Sequence, residues 1–177
     1  FDVFGTQRRN ALWAAGAVAQ SRPTRLEGIT VGNTAPALPG MEPIEEAVAD
    51  LWATGVSPDG HPTIFLREKL HAMGVLTANE LATVESGTRI YVAGVVTHRQ
   101  RPRTASGVTF MNLEDETGLI NVVCSPGCWT RFRTDARGAA ALLVRGRVES
   151  SEGVVNIIAE HLSALRVAVG AASRDFR

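Results

Sequence analysis

The chain has 177 residues, 45% hydrophobic and 20% charged, with 18 basic and 18 acidic side chains and a formal net charge of zero; this balance excludes wholesale disorder and a collagen-like chain, and no apolar run approaches the roughly 20 residues of a membrane span. Two cysteines are too few for a disulfide framework and point to a reducing, cytoplasmic setting. The chain starts at Phe1 with neither an initiator Met nor a signal pattern, and is read as a piece of a longer protein.

From Thr6 to about Gln20 the residues are good helix formers, with Thr6 as a cap and Leu12 and Trp13 as the largest apolar side chains, and a helix is expected. Residues 21–40 hold Pro23, Gly28, Gly32, Pro36, Pro39 and Gly40, which reads as an extended linker. From Pro43 to Ala53, Ile44, Val48, Leu51 and Trp52 fall at i, i+4, i+7 and i+8, with Pro43 in the first turn and Gly55 past the end, so an amphipathic helix is predicted. A second helix is predicted from Pro62 to Met73, with Leu66, Leu70 and Met73 on one face and Gly74 as the stop. Thr77-Ala-Asn-Glu80 reads as a capping box that opens a short third helix carrying Leu81 and Val84. Residues 41–86 are therefore expected to be a small helical unit.

After Gly87 the pattern changes to strands. Arg89–His98, Val108–Leu113, Leu119–Cys124, Ala141–Val148 and Val154–Leu162 are five predicted strands, with turns at Glu114–Gly118 and Ser150–Gly153. Pro126 to Ala140 is long enough for a helix, with Trp129 and Phe132 at i, i+3. The predicted class is α+β: a small helical segment followed by a five-stranded OB-fold β-barrel over residues 87–165, with a helix between strands 3 and 4 and a tail at 166–177.

The charges are clustered. Residues 1–87 carry 6 basic and 10 acidic side chains, residues 88–147 carry 9 and 4, and residues 148–177 carry 3 and 4. All nine cations of the basic middle are Arg, whose planar fork suits phosphate and base stacking. In an extended loop between strands 1 and 2, Arg99, Arg101 and Arg103 would form a comb tracking a phosphate backbone, while Phe110 on strand 2 offers a face for base stacking. Arg145 and Arg147 alternate with apolar residues and point outward together; Glu149 and Glu152 weigh against phosphate on that side. Cys124 and Cys128 form a C-x3-C pair without ordered His spacing, read as structural and metal-free. Glu114-Asp115-Glu116 reads as a solvated turn. No catalytic constellation or phosphate-binding loop stands out, so neither catalytic nor metal residues are assigned.

Phe110-Met-Asn-Leu-Glu-Asp-Glu-Thr-Gly118 with Leu119-Ile-Asn-Val-Val-Cys124, and the upstream Gly60-His-Pro62 with Phe65-Leu66, resemble the OB-fold region of bacterial C-family replicative polymerases, the DNA polymerase III alpha subunits. Phe4-Gly-Thr-Gln-Arg-Arg-Asn-Ala-Leu-Trp-Ala-Ala-Gly16, Leu51-Trp-Ala-Thr-Gly55, Gly94-Val-Val-Thr-His-Arg-Gln-Arg-Pro102 and Ser173-Arg-Asp-Phe-Arg177 are similar to the damage-induced, error-prone paralogue. The resemblance implies the C-terminal, non-catalytic part of a translesion DNA polymerase, acting in DNA repair and mutagenesis. It implies an inactive Y-family-like partner, the sliding clamp reached only indirectly, and Mg at an active site upstream, with no cofactor in this segment. Residues 1–20 would be the last helix after a helix-hairpin-helix region.

Two functions compete. The barrel binds single-stranded template DNA, or it is an interaction module that docks the mutagenesis partner with little DNA contact. An anticodon-type RNA-binding domain would explain the Leu113–Gly118 turn but not the helical unit. The tail ends in Ser173-Arg-Asp-Phe-Arg177, where Phe176 is expected to anchor in a partner pocket while Arg174 and Arg177, with Asp175, set orientation.

Overall fold

Strands form where β-branched residues alternate with polar ones, and helices where proline and a capping side chain start a turn. The computed structural model describes residues 5–19, 34–55, 57–58, 60–151 and 153–165. The chain divides into two compact units, Phe1–Glu46 and Ala47–Arg177. In the first, helix α1 spans Arg8–Ala19 and exposes Leu12, Trp13 and Val18. Its Arg9 donates to the carbonyls of Pro39 and Gly40 at 3.1 and 3.2 Å and pairs with Glu45 at 3.4 Å. Helix α2, Pro43–Thr54, starts in this unit and continues into the second.

After α2 comes a 3-10 turn at Pro62–Leu66, followed by helix α3 at Arg67–Ala72. The single helix expected over 62–73 is thus two tighter pieces. Leu70 is buried, but Met73 is 57% exposed, because the chain has already left the helix there. A two-residue strand β1, Val75–Leu76, was not anticipated; two residues are too few to show a period. The Thr77/Glu80 capping box forms in both directions, at 2.7 and 3.3 Å, and encloses a 3-10 turn, Glu80–Thr83, with Leu81 buried.

The barrel strands are β2 (Arg89–Gln100), β3 (Thr109–Asp115), β4 (Gly118–Cys124), β5 (Ala141–Ser151) and β6 (Val154–Ala164). The sheet runs β1-β2-β3-β4-β6-β5 and closes through β2–β5, with β4 and β6 parallel. This is the closed five-stranded OB-fold barrel expected from the strand order. Between β4 and β5 lie two short helices, α4 (Pro126–Arg131) and α5 (Arg133–Gly138), broken at Phe132, rather than one. Val92, Met111, Leu113, Ile120, Val122, Leu142, Val144, Ile157 and Leu162 fill the interior, with Trp129 and Phe132 packed against it from the helices. A smaller cluster, Leu66 and Leu70 against Val75, Ala93 and Leu143, seats the helical segment on the outer face of β2 and β5. Among the described residues no helix is long and apolar enough to cross a membrane.

The hairpin at Glu114–Gly118 is not the solvated turn its three acids suggest. Asp115 is 3% exposed. Its carboxylate accepts from the Thr117 and Gly118 amides at 2.7 and 3.0 Å and from the Ala78 amide at 2.8 Å. Glu116 accepts from the Arg67 guanidinium and, at 2.6 Å, from the Thr63 hydroxyl, whose oxygen in turn accepts from the Glu116 amide at 3.0 Å. His61 Nδ1 accepts from the Thr63 amide at 3.3 Å as the cap of this turn and stands 2.7 Å from the Thr63 hydroxyl. Asp115 thus reaches back 37 residues to Ala78, and Glu116 49 and 53 residues to Arg67 and Thr63, which ties the segment before β2 to the barrel.

Cys124 is fully buried at the end of β4, and burial, reinforced by Cys128, pushes its thiol up to about 12. Cys124→Ser is expected to lower stability by about 1–3 kcal/mol, because a hydroxyl there loses more on desolvation than a thiol. An unchanged urea midpoint would contradict that burial argument.

Candidate nucleic-acid interface

On β3 the alternation turns Thr109, Met111, Leu113 and Asp115 inward and leaves Phe110, Asn112 and Glu114 outward. On β4 it turns Ile120, Val122 and Cys124 inward and Leu119, Asn121 and Val123 outward. The antiparallel register sets Phe110 beside Val123, Asn112 beside Asn121, and Glu114 beside Leu119. Flanking strands lengthen these rows: β2 adds Gln100 next to Phe110 and His98 next to Asn112, and β6 adds Asn156 next to Asn121 and Ile158 next to Val123. Two adjacent rows therefore cross four strands, Gln100–Phe110–Val123–Ile158 and His98–Asn112–Asn121–Asn156.

Phe110 is 41% exposed and Leu119 61%. An exposed ring can stack on a base for about 1–3 kcal/mol. Amide side chains beside it carry both donors and acceptors and can meet base edges. Across these four strands neither row holds a Lys or Arg, which suits bases; the next residues on β5 are Arg147 beside Ile158 and Glu149 beside Asn156.

The amide row was not singled out from the sequence, although a signal was present. Met111-Asn-Leu113, Ile120-Asn-Val122 and Val155-Asn-Ile157 each place one Asn at the outward phase between apolar neighbours.

The expected arginine comb is not built. A β-bulge between Val96 and His98 shifts the register, so Arg99 lies opposite Met111 and, though exposed, turns away from His98 and Gln100, which take the outward phase beside Asn112 and Phe110. Arg99 donates to the carbonyls of Ala136, at 2.9 Å, and Ala139 at the end of α5, and burial lowers its pKa. Arg101 folds over the loop: a Cβ added to Gly107 would meet its guanidinium at 3.2 Å. Arg103 leaves the extended segment altogether, since Pro102 starts a 3-10 turn at Arg103–Ala105. Arg145 and Arg147 do face outward as expected, but on the β2–β5 side, where Arg145 is opposite Tyr91 and Arg147 opposite Arg89. Arg147 is at the same time the β5 partner of Ile158, so it continues the Phe110 row by one strand. The predicted arginines are therefore dispersed: Arg99 bonds the end of α5, Arg101 and Arg103 stay in the loop, and Arg147 borders the Phe110 row through Ile158. Phe176, Arg174 and Arg177 lie outside the described residues, as does the Glu152 side chain. Among the described residues no group of three or more His, Cys, Asp or Glu side chains is arranged to hold a metal ion.

Residues 90–165 match the family of OB-fold nucleic acid binding domains. Over nearly its whole length the chain is similar to curated proteins named error-prone DNA polymerase: 59% identical over 98% of the chain to that of Mycobacterium bovis, 58% over 96% to that of Nocardia farcinica, and 52% over 99% to that of Corynebacterium efficiens. It spans only 16%, 15% and 17% of those relatives' lengths. Among solved structures, asparaginyl-tRNA synthetase from Pyrococcus horikoshii overlaps 51% of this chain and 23% of its own, at 19% identity and a TM-score of 0.44.

Proposed function

The chain belongs with the error-prone DNA polymerases as a segment of about one sixth of their length, and from that premise we propose that it is the C-terminal, non-catalytic part of a translesion polymerase whose barrel binds single-stranded template DNA across β3 and β4. The observation that carries this reading is Phe110, 41% exposed at the centre of the outward rows. Successive bases would stack on Phe110, and Asn112, Asn121, Asn156 and Gln100 would accept and donate hydrogen bonds at their edges. Nucleotidyl transfer and its Mg belong, on this reading, to a part of the parent protein outside this sequence, in the cytoplasm. The inactive Y-family-like partner, the clamp beyond it and the anchoring role of Phe176, Arg174 and Arg177 are parts of the same proposal.

Phe110→Ala is expected to weaken oligo-dT binding about five- to a hundredfold, the equivalent of one lost stack of about 1–3 kcal/mol, with thermal stability unchanged because the ring lies outside the core. Fluorescence anisotropy with labelled oligo-dT reads this directly; wild-type affinity in the variant would remove the stacking face from the account.

A second reading has its own support. Phe110, Leu119, Val123 and Ile158 form an apolar surface bordered by Glu114 beside Leu119 and Arg147 beside Ile158, and an apolar centre with a charged rim also suits docking of the mutagenesis partner. Loss of partner binding in Phe110→Ala, with no oligonucleotide bound by wild type, would favour it.

A further inference from the structure

The outer face of β2, β5 and β6 carries Arg89, Tyr91, Arg145 and Arg147 with two carboxylates: Glu160 among the arginines, and Glu149 two residues beyond Arg147, opposite Asn156. Cross-strand pairing sets Arg89 directly opposite Arg147. Like charges so placed repel. Glu160 is the residue set out by a bulge, since the register jumps from Arg145/His161 to Gly146/Ala159. Its carboxylate accepts from Arg89 Nε at 2.8 Å and Nη2 at 3.2 Å and from Arg147 Nε at 3.0 Å, while Arg145 Nε stands 3.9 Å away. Arg145 Nε is buried and has no hydrogen-bond partner. Three guanidinium groups thus converge on one acceptor, with their side chains 53%, 42% and 54% exposed.

We propose that Arg89, Arg145 and Arg147 form a phosphodiester-binding site for a nucleic-acid backbone, with Glu160 as the resident anion that the phosphate displaces. A phosphate fits this chemistry, since its oxygens match the arginine forks and one acceptor leaves donors unused. A protein partner fits it less well. Interface cores between proteins are depleted of charge, whereas nucleic-acid interfaces are polar and strongly positive. The site shares its class of ligand with the proposed function but none of its residues, and because it reads phosphates it serves single strands and duplexes alike.

The test is a titration of the 177-residue chain with oligo-dT and with a duplex of equal length at several salt concentrations. Glu160→Gln removes the competing charge. It should tighten both ligands about three- to tenfold and steepen the logarithmic salt dependence by roughly 0.7–0.9, one additional phosphate. A gain in affinity cannot arise from misfolding. The Arg89→Ala/Arg147→Ala pair should weaken both ligands about tenfold and flatten the dependence by roughly two phosphates. Unchanged or weaker binding in Glu160→Gln would overturn the proposal, as would poly-glutamate peptide bound as tightly as oligonucleotide at the same salt. If Phe110→Ala binds oligo-dT like wild type while Glu160→Gln tightens it, the β3–β4 reading fails and this site stands; the reverse pattern removes this site alone.

Discussion

Arg67→Ala is expected to lower the stability of the barrel by about 3–5 kcal/mol, the range for removing one partner of a buried ion pair. Arg67 bonds Glu116 through Nε and Nη2 and stands 3.5 Å from the Asp115 carboxylate, whose side chain is fully buried. Without it Asp115 keeps its backbone donors, but Glu116 keeps only the Thr63 hydroxyl and one negative charge loses its compensation. Arg67→Lys retains the charge without the fork and should fall between the two. Urea unfolding monitored by tryptophan fluorescence gives the ranking; equal midpoints for all three proteins would contradict the network. The same network fixes an acid response. Burial pushes the Glu116 carboxyl up, but hydrogen bonds from Arg67 and Thr63 outweigh it and bring it to about 2. A carboxyl depressed in the folded state stabilises above its unfolded value near 4.3 and loses that contribution as the pH falls toward the folded value. Stability should therefore decline between about pH 5 and pH 2, and Glu116→Gln should flatten that decline.

Gly94→Ala is expected to cost about 3 kcal/mol or more, at or beyond the upper end of overpacking penalties. A Cβ on Gly94 would stand 2.6 Å from the Glu114 carbonyl oxygen and 3.1 Å from the Glu114 nitrogen. Both neighbours are backbone of β3, so no side chain can swing away, and β2 must separate from β3 where it bends round the barrel. Because Glu114 precedes the two acids locked by Arg67, the strain would reach the same hairpin. Gly127→Ala is the control: it lies in α4, and a Cβ there meets nothing within 4 Å. Thermal melts of the two variants should separate clearly; coincident melts would mean that the strands tolerate the methyl group.

The strand order was legible because β-branched alternation is strong from Arg89 onward and each hairpin is marked by turn residues. What failed was phase and long-range pairing. The period of two puts Arg99 and Arg101 on one side but does not say which side; the bulge after Val96 decides it and turns Arg99 under α5. Likewise Glu114, Asp115 and Glu116 look alike in sequence, and what separates them is Arg67 and Thr63, 49 and 53 residues before Glu116. The helix expected over 62–73 split because the 3-10 turn brings Thr63 to Glu116, a tertiary contact that outweighs local helix propensity. Phe110 could be placed on a strand but not on a face, since its neighbours on both sides are apolar enough for either. The Asn row needed registers between four strands, which no single segment contains.

On the proposed reading, the outward rows on β3 and β4 hold single-stranded DNA through its bases. Titrating the isotope-labelled chain with oligo-dT and following backbone and side-chain amide resonances tests it most directly. The account predicts shifts concentrated at Phe110, Asn112, Asn121, Val123 and Asn156, with the Asn side-chain amides among the largest, and persistence of those shifts when salt is raised enough to screen phosphate contacts. Shifts confined to Arg89, Arg145, Arg147 and Glu160, or an undisturbed β3–β4 surface at saturating oligonucleotide, would contradict it.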